Sequence, residues 1–315
     1  MGFAMRLTEQ AKGVYIIAAT PFRDDGALDL PSIDRLVDFY IGHGVSGMTI
    51  LGIMGEANKL TAEESVAAMQ RFIARAGKLP VIVGVSSPGL TQLASLAKTA
   101  MDNGAAGVMV APTPGLKGDD GIYGYYAQVM EALGPDIPVV VQDYPQANGV
   151  YLPVPVFNRL VDDFRQVVML KHEDWPGLAK LTQVRASAAD GKRRRVSILV
   201  GNGGLYLPQE LQRGADGAMT GFAYPEMLVG VCERHARGDV DGAEDLFDLY
   251  LPLVKHEQQP VLGLAVRKEV LFRRDAIASP KQRKPGYALT AEDHKELDRL
   301  MARLERRLRG LKAAA

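Results

Sequence analysis

The apolar run Val167-Val168-Met169-Leu170 stops at Lys171, and His172, Glu173 and Asp174 follow at once. Four such residues in a row fit a buried strand, and ending that strand on an ammonium carries the cost of burying a charge. A lysine in that place has one obvious chemical use. As a neutral amine it attacks a ketone, and the resulting iminium withdraws electrons from the neighbouring carbon. An exposed lysine, with a pKa of ~10.4, is almost wholly protonated at pH 7. Desolvation can bring it to about 7–8, where a useful fraction is nucleophilic. From spacing alone, a plain ion pair at the end of the strand is the competing role for Lys171.

Other chemistries find less support. His172, Glu173 and Asp174 are contiguous, and neighbours on a strand point to opposite faces, so they make a poor chelate and no metal site is expected. His43, His235, His256 and His294 fall in helical patterns or at helix ends, and no Ser-His-Asp set assembles. Cys232 lies in the helical stretch MLVGVCERHA and reads as a buried small hydrophobe. The basic run Lys192-Arg193-Arg194-Arg195 reads as a solvated loop ahead of a strand, with an anion site as the alternative.

Elements must hold Lys171 in place, and the sequence supplies a regular series of them. Val- and Ile-rich runs recur at Val14–Ala19, Gly47–Leu51, Val81–Val85, Gly107–Val110, Val139–Val141, Val167–Leu170, Ser197–Val200 and Gly217–Thr220. Most lie about 25–35 residues apart, the length of one strand-helix unit. Near-continuous apolar strands suggest a parallel sheet covered on both faces. Helical patterns fill the gaps: Ile33 through Ile41 at helical spacing, Thr61-Ala-Glu-Glu64 as a capping box, Thr91 through Asn103, Ile122–Leu133, Leu178–Ala186 and Leu207–Arg213.

Eight strands alternating with helices predict an α/β fold, a (β/α)8 TIM barrel, over residues 1–235. Residues 236–315 then carry only helical signals, near 240–255, 260–275 and 290–310, and form a C-terminal helical extension packed on the barrel. No GxGxxG follows the first strand and no Walker motif occurs, which counts against a nucleotide enzyme.

Bulk properties set outer limits. The 315 residues are 47% hydrophobic and 23% charged, which argues against disorder. Lys+Arg and Asp+Glu stand at 37 each, so no global field recruits nucleic acid or an acidic membrane. A single cysteine excludes an internal disulfide and fits a reducing cytoplasm. No run approaches the roughly 18 apolar residues of a spanning helix. A cytoplasmic protein is expected.

In a barrel of this kind reacting groups sit at the carboxyl ends of the strands. Those ends include Gly52-Ile53-Met54-Gly55-Glu56, Ser86-Ser87, Gln142-Asp143-Tyr144-Pro145 and Gly201-Asn202, and Lys171 is the only lysine among them. The G-x-x-G-E loop after strand two, the Pro145…Gly149 segment, the lysine of strand six, Gly214-Ala-Asp-Gly217 with Pro225, and the tail QQPVLGLAVRKEVL share an order and spacing. In these features the chain resembles the dihydrodipicolinate synthase / N-acetylneuraminate lyase family of class I aldolases. The resemblance covers nearly the whole length. It implies that Lys171 forms a Schiff base with pyruvate or a larger 2-oxo acid, that the loop embraces the substrate carboxylate, and that no metal or organic cofactor takes part. It also implies a homotetramer or a dimer.

Departures from the family pattern narrow the expectation. Ile53 and Met54 stand where a loop hydroxyl is usual, Gln142 where a proton-transfer tyrosine is usual, and Ala147 where the synthase branch has an arginine. Tyr144, two residues beyond Gln142, and Glu173, two beyond Lys171, are the candidates to carry protons. Gly52, Ile53, Met54, Gly55, Glu56, Gln142, Asn202 and Met219 are the candidates to contact substrate. The function expected is a Schiff-base lyase, an aldolase or dehydratase. The alternatives are 4-hydroxy-tetrahydrodipicolinate synthase with a rearranged site, and a 2-oxo-acid-binding protein that has lost turnover.

Overall fold

The structure is a computed structural model that describes residues 5–314, with side chains to residue 310. Strands β1 (Gly13–Ile17), β2 (Gly47–Ile50), β3 (Val81–Gly84), β4 (Gly107–Val110), β5 (Val139–Asp143), β6 (Val167–His172), β7 (Ser197–Val200) and β8 (Gly217–Ala218) close into one parallel barrel in sequence order. Each strand is buried along almost its whole length, as a sheet covered on both faces must be. Alternation sorts the side chains. On β7, Ile198 and Val200 face the helices, while Leu199 joins Ile17, Ile82, Met109, Val140 and Met219 inside the barrel. Met219 is therefore part of the packed interior.

Helices α1 (Leu30–Gly42), α2 (Ala62–Ala76), α3 (Leu90–Asp102), α4 (Asp119–Leu133), α5 (Pro145–Asn148), α6 (Val154–Asp163), α7 (Leu178–Ala186), α8 (Leu207–Gln212) and α9 (Pro225–Ala236) connect and cover the strands. The capping box forms as the sequence predicts, with Thr61 and Glu64 each accepting from the other's backbone N–H. Helix α6 has no counterpart in the sequence reading. Pro153 and Pro155 look like breakers there, yet they stand at its N-cap and in its first turn, where a missing N–H costs nothing.

Strands β5 and β6 run two residues further than their apolar runs, because the ladder continues through Gln142–Lys171 and Asp143–His172. The tail supplies α10 (Val240–Glu257), α11 (Gly263–Arg273) and α12 (Ala291–Ala314). Helix α10 lies against α8 and α9, and α12 lies against α10. No described helix is long and apolar enough to cross a membrane. The basic run is consumed structurally: Arg193 pairs with Asp162, Arg195 with Asp216, and Arg194 with Glu9 and the carbonyls of Val161, Phe164 and Val167. An anion site there has no free guanidinium to build on.

Candidate active site

Lys171 lies inside β6, one residue before its end, in register with Gln142 of β5 and Leu199 of β7. Leu170 belongs to the outer core, so alternation turns Lys171 inward. It is 4% exposed, and its Nζ is 3.0 Å from Oε2 of Glu173. The same oxygen accepts from Gln142 Nε2 at 2.7 Å. A buried charged pair persists only where further hydrogen bonds satisfy it, and Gln142 supplies one. Lys171, Glu173 and Gln142 thus form one unit at the barrel mouth.

The end of β7 is shaped around this unit. Glu173 donates its backbone N–H to Asp143 and accepts at its carbonyl from Asn202 Nδ2 at 3.1 Å. Asn202 itself adopts a left-handed backbone, with φ of 51°. A Cβ on Gly201 would stand 2.2 Å from Cγ of Glu173, so only glycine leaves room for this side chain. Asn202 therefore holds Glu173 through its backbone.

The Gly52–Glu56 loop stands opposite. It opens on Leu51 and closes on Glu56, both left-handed at φ of 54°, a conformation that costs a residue with a Cβ and clusters at functional sites. Within the loop, Gly55 and Glu56 donate to the carbonyls of Gly52 and Ile53, and Thr20 Oγ1 donates to Gly55 O at 2.5 Å. The N–H groups of Ile53 and Met54 have no hydrogen-bond partner among the described residues. They are free to receive an anion. Met54 packs on the barrel interior, whereas Ile53 is 56% exposed. Glu56 is buried, and its carboxylate accepts from Lys59, Lys268 and the backbone of Arg283.

A cavity of about 410 Å³ extends from this mouth between the ends of β2 through β5. Gly52 and Ile53 form one edge, and Gln142 and Tyr144 form the side next to Lys171 and Glu173. Ser86, Ser87, Asn58, Thr113 and Asn148 line the far part together with Tyr125. No side chain on this wall is charged, and Ala147 is among them. Tyr144 stands at the start of α5, past the end of β5, so it reaches the same cavity as Gln142 by a turn rather than by strand alternation. Burial raises the Tyr144 phenol, and the nearby charge of Glu173 raises it further. The phenol stays protonated and can donate.

Sequence reasoning reached Ser86 and Ser87 only as a strand end. It missed Asn58, on the turn after the loop, Asn148, at the end of α5, and Tyr125 on α4. Tyr125 at helical spacing is indistinguishable from core packing without the tertiary structure.

Behind the site a second ionisable group of residues is buried. His172 and Asp143 face outward from β6 and β5, with His172 Nδ1 at 3.7 Å from Asp143 Oδ2. Lys180 Nζ is 2.6 Å from the same oxygen but poorly directed for a hydrogen bond to it, and it donates instead to Asp174 Oδ2 at 3.2 Å. Desolvation lifts the carboxyl of Glu210 to about 7, with His172 opposing the shift.

A closed eight-stranded barrel with a buried lysine at its carboxyl mouth fits the class I aldolase type of lyase. The chain belongs to the Dihydrodipicolinate synthetase family, whose model matches residues 10–304. Over 311 residues it is 31% identical to the L-2-keto-3-deoxyarabonate dehydratase of Azospirillum brasilense, covering 95% of this chain and 96% of that one. It is 27% identical to the 4-hydroxy-tetrahydrodipicolinate synthase of Chlorobium chlorochromatii, over 92% of this chain and 96% of the relative. A crystal structure of a dihydrodipicolinate synthase from Rhodopseudomonas palustris superposes with a TM-score of 0.94 at 51% identity, covering 95% of this chain and all of the other.

Proposed function

We propose that the protein dehydrates a 2-oxo acid longer than pyruvate whose distal part is uncharged and hydroxylated. The observation that carries this reading is the carboxylate of Glu173 at 3.0 Å from Lys171 Nζ. Glu173 takes a proton from the Lys171 ammonium, and the freed amine attacks C2 of the oxo acid. Loss of the carbonyl oxygen as water leaves an iminium. Glu173 then removes a proton from C3, and the electron pair of that bond forms the enamine. The enamine expels a hydroxyl from C4, which leaves as water with the proton that Glu173 returns. Hydrolysis of the conjugated imine restores Lys171. One carboxylate can serve each transfer when it stays within hydrogen-bond reach of C3 and of the departing hydroxyl.

The other roles follow from position. The free N–H groups of Ile53 and Met54, in the loop shaped by Gly52, Gly55 and Glu56, receive the substrate carboxylate. Gln142 and the protonated phenol of Tyr144 donate to substrate oxygens, whereas Met219, fully buried in the barrel interior, does not line the cavity. The uncharged far wall, with hydroxyls and amides, suits a polyol tail. It offers no cation for a second carboxylate, and Ala147 stands where the synthase branch would supply one. Similarity to a dehydratase supports the same choice. Aldol addition or cleavage is the second reading, since the enamine on Lys171 is common to both. The lone cysteine and the family resemblance support a cytoplasmic homotetramer or dimer.

Borohydride trapping tests the nucleophile. Incubation with pyruvate and with 3-deoxy-2-oxo sugar acids, followed by intact mass and peptide mapping, is expected to place an adduct on Lys171 and none on Lys171→Ala. Steady-state assays of the same acids then read water loss. A folded protein that traps no 2-oxo acid would sink the Schiff-base reading, and cleavage without dehydration would favour the aldolase.

A further inference from the structure

Glu56 closes the loop that receives the substrate, yet its carboxylate is not on the cavity wall. Oε1 accepts from Lys268 Nζ at 2.5 Å, and Oε2 accepts from Lys59 Nζ at 2.9 Å and the Arg283 N–H at 3.1 Å. Lys268 belongs to α11 and is completely buried. Its ammonium also donates to Lys281 O at 2.8 Å and lies 4.5 Å above the ring of Phe22. The segment after α11 continues across the same ground. Ser279 donates to Asp24, and Arg283 donates to the carbonyls of Gly26 and Lys59 and pairs with Glu64.

Two features call for an explanation. A fully buried ammonium is costly, and an apolar residue of similar volume would often serve stability as well or better. A left-handed backbone at Glu56 persists only where its surroundings over-determine it. One role answers both. We propose that Lys268, acting through Glu56, is a positioning residue that fixes the closing turn of the substrate loop and so aims the free N–H groups of Ile53 and Met54. The helical tail is then a working part of the site, and α11 reaches a loop 212 residues away in sequence. The substrate side of this inference rests on the Schiff-base reading; the loop-fixing side does not.

The test uses the full-length protein and Lys268→Met, with Glu56→Gln as a near-isosteric second variant should the first fail to fold. Hydrogen exchange is followed in peptides covering residues 51–57 and, as a control, β7. Exchange in the loop is expected to accelerate at least tenfold while β7 stays unchanged. Equal protection in both proteins, or equal loss in loop and β7, overturns the inference whatever the enzyme's substrate. Borohydride trapping supplies the functional arm. The half-saturating pyruvate concentration is expected to rise at least tenfold, while trapping of hydroxyacetone, which lacks the carboxylate, changes less than twofold. Equal shifts for both ketones would overturn the positioning role. Failure of the unaltered protein to trap either ketone would count against the proposed function alone, leaving the exchange result to decide the loop.

Discussion

Glu173 Oε2 lies 3.0 Å from Lys171 Nζ and accepts from Gln142, so one oxygen couples the proposed nucleophile to the proposed proton carrier. Glu173→Gln separates the two roles. Lys171 keeps its buried position but loses the carboxylate that takes its proton, so trapping with pyruvate should slow yet still reach completion, while kcat for water loss should fall about 10²–10⁴-fold. No adduct even after prolonged incubation would mean that Glu173 chiefly holds the lysine, and an unchanged kcat would remove it as the proton carrier. Gly201→Ala probes the same group without replacing it, since the new methyl would press on Glu173 Cγ. Displacement of a catalytic group by about 1 Å costs on the order of 10²-fold, so kcat should drop by roughly that factor with pyruvate trapping retained. Unchanged kcat in a folded Gly201→Ala would show that Glu173 tolerates displacement and weaken its assignment. Lys171 and Glu173 were legible in the sequence because both signals are local: an apolar run ending on a charge, and a carboxylate two residues on. Gly201 was not, because what it leaves room for belongs to the neighbouring strand.

Elements announce their starts more clearly than what clamps them. The capping box at Thr61 was readable because its partners are three residues apart. Arg283, which pairs with the same Glu64 from 219 residues away, left no trace in the local pattern. Strands β5 and β6 were cut short for a related reason. Gln142, Asp143, Lys171 and His172 look like loop residues, yet barrel closure buries them and their ladder bonds continue. The Arg283 hydrogen bond, with that of the Thr61 N–H next, holds the Glu64 carboxyl at about 2, against an ordinary 4.5. A depressed carboxyl contributes stability that is complete above its unfolded value and lost as pH falls through the folded one. The clamp between α2 and the tail should therefore weaken between about pH 4.5 and pH 2. Thermal melts over that range should decline more steeply for the parent than for Glu64→Gln, with the gap greatest near neutrality. Parallel pH curves would show that Arg283 contributes nothing to holding the tail. High salt should shrink the gap, because Glu64 is partly exposed.

Across the whole molecule, eight evenly spaced apolar runs were enough to foresee a closed barrel, since the repeat length of a strand-helix unit is itself a tertiary signal. The cavity walls were not foreseeable to the same degree. Asn58, Asn148 and Tyr125 come from three separate connections, and nothing in the sequence orders them around one space. Burial of the outward face has a similar consequence for stability. Glu210 on α8 is 8% exposed, and no described residue gives its carboxylate a hydrogen bond or an ion pair. Desolvation raises its carboxyl from 4.5 to about 7, with the charge of His172 partly opposing. A carboxyl raised on folding contributes fully below its unfolded pKa, and that contribution is lost as pH rises through the folded value. The loss therefore runs from about pH 4.5 to pH 7, and at pH 8 the fold bears the cost of ionising a buried acid. A tenfold change in a proton-binding equilibrium is worth about 1.4 kcal/mol, which puts that cost on the order of 3 kcal/mol. Glu210→Gln removes the ionisation and keeps the shape. Its unfolding midpoint in urea should exceed the parent's at pH 8, and the two should converge near pH 4.5. An offset of equal size at both pH values would assign the change to packing rather than charge. No offset at pH 8 would mean that water or His172 already compensates the Glu210 carboxylate.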